Sequence, residues 1–327
     1  MAEKPAAGRP PGSAPAAFAV VDWGTSSFRG WLMSSDGTAL AESRGDEGML
    51  HCAGGAGFAP VLRRHLARLG APAELPVLIC GMAGARQGWA EAPYLKVPTR
   101  LDALHGGAIR IDAPGDIRIL PGIAQARADR PDVMRGEETQ LLGVTEPGFS
   151  GLVCLPGTHS KWVAIEDGRV AAFTTYMTGE LFSTIARHSI LAHAVEISGA
   201  PPADGAPFRA GLAAALAEPA SLTASLFRLR AAQLLGFEER RDGAARLSGL
   251  LIGTELADAM RRFGPIRSVR LVAAGGLAQL YRAALGAQGL DATTVDAEQA
   301  SRRGLAKAAR EIWGAAGTSA AGSAATG

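Results

Sequence analysis

Cysteine is scarce in this chain. Among 327 residues the thiols are Cys52, Cys80 and Cys154. That odd number lacks the paired spacing of a zinc site or a disulfide framework, and two of the three lie in apolar runs, as expected of buried thiols in a reducing cytosol. Charge of one sign is also lacking, since the formal net charge is +2. Lysine and arginine form only local pairs such as Arg63-Arg64, Arg240-Arg241, Arg261-Arg262 and Arg302-Arg303, which read as solvated helix faces and argue against a nucleic-acid surface. No apolar run approaches the roughly twenty residues of a membrane span. The Pro-, Ala- and Gly-rich start contains no signal-peptide core. A soluble, cytoplasmic protein with neither nucleic acid nor membrane as partner is expected.

What is present is a globular composition, 47% hydrophobic, on a chain long enough for two domains with separate cores. Residues 1–16 and 314–327 offer little to bury and are expected to be disordered tails. The organising stretch is Phe18-Ala-Val-Val-Asp22-Trp-Gly24-Thr25-Ser26-Ser27-Phe28-Arg29, an apolar strand ending on an acid, a Gly-Thr-Ser-Ser turn, and a second alternating strand. Such a tip suits phosphate. Gly24 admits close approach, turn N–H groups and the Thr25 and Ser26 hydroxyls can surround an anion, and Asp22 could hold a hydrated Mg²⁺ facing it. Alone, the pattern is equally an ordinary hairpin. Gly151 to Ile165 repeats it, with the tip Gly157-Thr158-His159-Ser160-Lys161. Gly157, Thr158 and Ser160 offer donors to phosphate, and His159 or Lys161 could offset charge or be a turn histidine and an outward strand residue. A third glycine element, the strand Ser268–Ala274 running into Gly275-Gly276 and a helix, suits a nucleoside backbone contact but lacks dinucleotide spacing.

In this order the three elements resemble the two phosphate loops and adenosine loop of the actin/hexokinase/Hsp70 ATPase superfamily. Three longer strings narrow the resemblance to the 2-dehydro-3-deoxygalactonokinases: Met134-Arg-Gly-Glu-Glu-Thr-Gln-Leu-Leu-Gly143, Leu155-Pro-Gly-Thr-His-Ser-Lys-Trp162 and Ser248-Gly-Leu-Leu-Ile-Gly-Thr-Glu255. The resemblance spans about residues 18 to 313. It implies an α/β protein of two RNase H-like domains, residues 17–147 with the substrate and 148–313 with the nucleotide, facing an ATP and substrate cleft, with a hinge at residues 145–150. ATP and Mg²⁺ would be the cofactors and a sugar acid the substrate, phosphorylated at its 6-hydroxyl. A homodimer is compatible with it. A kinase for a related sugar or keto sugar acid, or an ATP-driven clamp that is not a kinase, stays open.

The resemblance also distributes roles. Glu137 and Glu138 open a helix over 137–144, where acids are commonly dipole partners. Related sugar kinases carry Gly-Asp-Gln-Gln at this place, with the acid as general base, so Glu137 is the first choice and Glu138 the second. The buried strand Pro76–Cys80 ends where ligands of open α/β sheets gather, which makes Met82, Arg86 and Trp89 substrate candidates. Arg86 could also be a surface charge and Trp89 a core anchor. A guanidinium suits an acid sugar, and Arg29, Arg86 and Arg135 compete for that role. Glu180 could touch substrate or simply start its helix. Gly253, one turn after Gly249 inside a helix, implies close approach of either adenine or a neighbouring helix. The helix over 58–69 is read as a surface helix with its arginines and His65 on the polar side.

Overall fold

An apolar strand that ends in an acid opens the first unit. The computed structural model describes residues 14–314 except 198, 200 and 201. The tails expected at either end therefore fall largely outside the described residues, although Ala16 already belongs to β1. Strand β1 (Ala16–Trp23) is antiparallel to β2 (Phe28–Ser34), which pairs with β3 (Ala39–Gly45). On the other side of β1 lie β4 (Val77–Gly81) and then β5 (Ile117–Ile119), both parallel. The order is β3-β2-β1-β4-β5, with a short strand at Ile109–Arg110 on the edge. Val20, Val21, Leu78 and Ile79 are fully buried, so both faces of the two central strands are covered, which is why they read as unbroken apolar runs.

Helix α1 (Phe58–Arg68) covers one face. Here the expected polar side is partly wrong, because His65 is buried. Its Nδ1 lies 2.8 Å from the Ser43 hydroxyl, and its ring stacks on Phe28 at 3.9 Å. Spacing explains the miss: Phe58, Val61, Leu62 and His65 follow i, i+3, i+4, i+7, so His65 completes the inward stripe. Burial lowers its pKa, outweighing Glu47. Helix α2 (Glu137–Val144) forms as expected, entered through Gly136 at φ +108°, a conformation that favours glycine.

The second unit repeats the strand plan. Antiparallel β6 (Gly151–Leu155), β7 (Ser160–Glu166) and β8 (Arg169–Tyr176) are followed, beside β6, by parallel β9 (Ser268–Val272) and β10 (Asp291–Val295). The order β8-β7-β6-β9-β10 matches that of the first sheet strand for strand. Between β8 and β9 the chain adds α3 (Thr178–His188), α4 (Ala206–Ala217), α5 (Leu222–Leu234) and α6 (Arg240–Phe263), and α7 (Gly275–Gly286) joins β9 to β10. A Cβ on Gly249 would lie 2.2 Å from the Phe208 carbonyl, and one on Gly253 would lie 2.8 Å from Cβ of Ala215. The neighbouring helix α4, one of the two approaches expected at Gly253, thus accounts for both glycines.

The last helix, α8 (Ala297–Trp313), belongs with the first half of the chain. Among the described residues, 14–147 and 298–314 form one compact unit and 148–297 the other. The reading that ran the second domain to residue 313 is corrected accordingly. The reason is local: Gly143 of α2 and Gly304 of α8 face each other so closely that a Cβ on either would lie within 2 Å of a backbone oxygen, of Ala300 and of Thr139 respectively. Lys307 also donates to the carbonyls of Leu142 and Thr145, at 2.9 and 3.0 Å.

Candidate active site

In the first unit, the end of β1 gathers the charged groups. Asp22 pairs in register with Arg29 across the hairpin and with Cys80 of β4, which puts its carboxylate at the carboxyl edge of the parallel strands. Its side chain is 13% exposed, with the Arg29 guanidinium 3.7 Å away. Burial pushes the Asp22 carboxyl up. Arg29 and a hydrogen bond with Ser301 of α8 oppose the rise, and Glu137 and Glu298 add to it. Arg29 also lies 3.8 Å from Glu298. Gly81 ends β4 at φ +88°, and a Cβ there would sit 2.7 Å from the Trp23 carbonyl and 3.6 Å from Asp22. Gly136 comes within 3.5 Å of Gly81 by the same measure. The turn that launches α2 is therefore seated beside Asp22.

Glu137 and Glu138 differ sharply in surroundings. Glu138 is 1% exposed. Both its oxygens take the Gly136 N–H, at 2.9 and 2.7 Å, and one takes the Thr139 hydroxyl at 3.1 Å. Burial, reinforced by the charge of Glu137, raises its pKa to about 8. Glu137 is partly exposed, and one of its oxygens accepts the Arg135 N–H at 3.1 Å. The remaining substrate candidates separate. Trp89 stacks on Phe58 at 5.9 Å and meets Trp23 edge-on, and Met82 packs against the same core, so both are anchors beneath the loop. Arg86 is 80% exposed, 3.5 Å from Glu91. Arg135 lies over the Tyr94 ring at 4.2 Å and donates to the Ala92 carbonyl at 2.8 Å, while its Nε and Nη1 are buried without hydrogen-bond partners.

The tip Gly24–Ser27 is closed by the Gly24 N–H donating to the Ser27 carbonyl at 2.9 Å, and Thr25 and Ser26 are exposed. The carbonyls of Gly24 and Thr25 accept from Met49 and Leu50. A Cβ at Gly48 would strike the Ser26 backbone at 2.4 Å, so the tip rests directly on that glycine.

In the second unit, Gly157 and Thr158 are at an open tip that also rests on a glycine. A Cβ on Gly179 would sit 2.5 Å from the Gly157 carbonyl, and the Glu180 N–H donates to the Thr158 carbonyl at 3.0 Å. His159 pairs with the Glu180 side chain, both about half exposed. Ser160 and Lys161 depart from expectation. Ser160 is fully buried with its hydroxyl 2.9 Å from the Tyr281 hydroxyl, and Lys161, 4% exposed, donates to the His159 carbonyl at 3.1 Å. In this conformation neither presents a donor to phosphate. Gly275 opens α7 at φ +58° with open space where a Cβ would be, and Gly276 is partly exposed beside it. A cavity of about 200 Å³ has Gly157, Thr178, Gly179, Ser248, Leu277 and Tyr281 in its walls, so the second tip and the first turn of α7 share one pocket. A larger cavity of about 620 Å³, mostly apolar, adjoins Tyr176, Thr178, Leu181, Leu222, Glu255 and Asp258.

Glu298, Ser301, Glu255 and Tyr281 were missed. Glu298 and Ser301 stand three apart on one face of α8, and Glu255 is a lone acid in a run of buried positions, which was the available signal. Among the described residues no group of three or more His, Cys, Asp or Glu side chains is placed to hold a metal alone. A Mg²⁺ carried by nucleotide phosphates needs only one or two protein carboxylates, and Asp22, within electrostatic reach of Glu137 and Glu298, fits that need.

Comparison with known proteins follows the same lines. A model of the 2-keto-3-deoxy-galactonokinase family matches residues 22–308. A Rhizobium meliloti (strain 1021) protein named as a probable 2-dehydro-3-deoxygalactonokinase is 53% identical over 299 residues, covering 90% of this chain and 97% of that protein. The Escherichia coli (strain K12) protein named 2-dehydro-3-deoxygalactonokinase is 35% identical over 300 residues, 91% of this chain and 99% of that one. The crystal structure of a candidate 2-dehydro-3-deoxygalactonokinase from Sinorhizobium meliloti superposes with a TM-score of 0.87 at 53% identity, covering 90% of this chain and 99% of its own. The activator of 2-hydroxyisocaproyl-CoA dehydratase from Clostridium difficile, with bound ADPNP, matches at a TM-score of 0.51 and 13% identity over 92% of this chain and 97% of that one, a likeness of fold alone.

Proposed function

The chain belongs to the 2-keto-3-deoxy-galactonokinase family, and from that premise we propose that it moves the γ-phosphoryl group of ATP to the 6-hydroxyl of 2-dehydro-3-deoxygalactonate, giving the 6-phosphate and ADP. It is then a phosphotransferase with an alcohol acceptor, acting in galactonate catabolism on the actin-like ATPase fold. The observation that carries the reading is the partly exposed Glu137 carboxylate at the head of α2, electrostatically coupled to the half-buried Asp22 at the end of β1.

A sugar hydroxyl is a weak nucleophile at neutral pH. Glu137 takes its proton as the new O–P bond forms and the bond to the β-phosphate oxygen breaks. Glu138 is set aside as base because both its oxygens are turned into its own helix start. Bound Mg²⁺ would neutralise charge on the phosphates, with Asp22 as the residue that holds it. Arg29 balances Asp22 and Glu298, and two guanidinium nitrogens of Arg135 are covered. The substrate carboxylate is therefore assigned to Arg86, whose exposed fork lies in the loop after β4. ATP is assigned to the second unit, at the tip Gly157–Thr158 and the pocket that runs to α7. ATP as co-substrate and three unpaired, buried cysteines support a cytoplasmic location.

The test is ADP release coupled to a spectroscopic readout, run with a panel of sugar acids. Turnover that depends on 2-dehydro-3-deoxygalactonate supports the assignment, turnover with another keto sugar acid moves the substrate, and sugar-independent ATP hydrolysis overturns the kinase reading. Arg86→Ala should raise the KM of the acid sugar and leave that of ATP unchanged.

A further inference from the structure

We propose that Glu255 is a positioning residue for the nucleotide, holding the second hairpin tip and the head of α7 in register through a directed set of hydrogen bonds. This rests on the assignment of ATP to the pocket of the second unit. Glu255 lies on α6 and is 3% exposed. Its Oε1 accepts from the Trp162 indole N–H at 2.7 Å, and its Oε2 accepts from the Tyr281 hydroxyl at 2.7 Å and from the Thr178 hydroxyl. The donors come from β7, from α7 and from the first residue of α3.

When Glu255 is ionised its carboxylate only accepts, and the Tyr281 hydroxyl donates to it. The Ser160 hydroxyl, 2.9 Å from the Tyr281 oxygen, then donates to that oxygen or to Glu255 itself, and the Ser160 oxygen faces the Gly157 N–H at 3.4 Å. Donation runs one way, from the backbone of the tip through these hydroxyls to one buried acid. The Thr178 bond works from the other side, because the next residue, Gly179, is the seat on which Gly157 and Thr158 rest. Gly157, Thr178 and Tyr281 all belong to this set and all line the cavity of about 200 Å³. Burial raises the Glu255 carboxyl, and the hydroxyl and indole bonds oppose the rise.

A glutamine at 255 keeps the shape and spoils the direction, since its NH₂ must face either the Trp162 donor or the Thr178 and Tyr281 donors. One unpaired buried donor is enough for a loss of about tenfold. Glu255→Gln should thus raise the KM for ATP, and the Kd for ADP in calorimetry, by about tenfold, while the KM for 2-dehydro-3-deoxygalactonate stays within about twofold. Tyr281→Phe and Thr178→Val should move the same two constants in the same direction. A melting temperature that falls with an unchanged Kd for ADP makes the network fold support only and overturns the proposal. Should Glu255→Gln fail to fold, unchanged ADP binding in both Tyr281→Phe and Thr178→Val overturns it equally. Leu277→Trp, which fills the pocket, separates the underlying assignment. If that variant binds ADP as the wild type does, the nucleotide is elsewhere and the assignment itself fails. If it loses ADP while Glu255→Gln keeps it, only the positioning role fails.

Discussion

The two hairpin tips look like twins in sequence and are not. Each follows an apolar strand, each carries Gly-Thr, and each is seated on a glycine at the start of the next helical segment, Gly48 under Ser26 and Gly179 under Gly157. Around that common seat the side chains diverge. The first tip leaves Thr25 and Ser26 in solvent and has its charge beside it, in Asp22, Arg29 and Glu298. The second turns Ser160 and Lys161 inward and ties the serine to Tyr281 and Glu255, leaving Thr158 and His159 outside. A duplicated backbone plan therefore allows a division of labour, with the carboxylates proposed to react near one tip and a hydrogen-bonded pocket at the other.

The sharpest way to break this comparison is Glu137→Gln. With the base confined to the first unit, kcat should fall by about 10² to 10⁴, and the Kd for ADP should not move. A comparable loss of ADP affinity would mean that the two functions are not separated. Next in size is Glu138→Gln. The folded pKa of Glu138, about 8, exceeds the ordinary carboxylate value of 4.5, so the folded protein binds the extra proton. Its contribution is complete below pH 4.5 and is lost as pH rises through about 8. Denaturant titrations across that window should show wild-type stability falling by up to a few kcal/mol, and Glu138→Gln should flatten that slope.

Alanine in either seat sharpens the comparison further. A Cβ at Gly48 or Gly179 would collide with tip backbone at 2.4 or 2.5 Å, and a displacement near 1 Å costs up to about 10²-fold. Gly179→Ala should appear mainly in the KM for ATP and Gly48→Ala mainly in kcat, both read from steady-state kinetics. The smallest contrast concerns the serines. Ser160→Ala leaves the buried Tyr281 oxygen without its hydroxyl partner and should lower unfolding free energy by about 1–3 kcal/mol, whereas Ser26→Ala should stay within about 0.5 kcal/mol. Equal losses would restore the twins.

The fold was legible because its central strands are buried on both faces and several of its reversals carry Asp-Gly signals, as at Asp36-Gly37 and Asp167-Gly168. The acid-tipped β1, the helix from Glu137 and the Gly275 turn could likewise be placed from local pattern. What could not be read was direction and partner. The hydroxyl of Ser160 turns inward because Tyr281, 121 residues later, is there to meet it. Gly253 serves α4, His65 completes an apolar stripe, and Ser301 reaches Asp22 from the far end of the chain. Each of these depends on a tertiary neighbour that no window of sequence contains.

The return of α8 has a practical consequence for dissecting the protein. The chain leaves its first unit at Pro147 and re-enters it at Glu298, so residues 148–297 are a guest lodged in a host. The guest is one uninterrupted stretch and is the natural fragment to express alone. The host needs its two pieces rejoined, and a truncation aimed at trimming the guest's end would instead deprive Asp22 of Ser301 and Arg29 of Glu298.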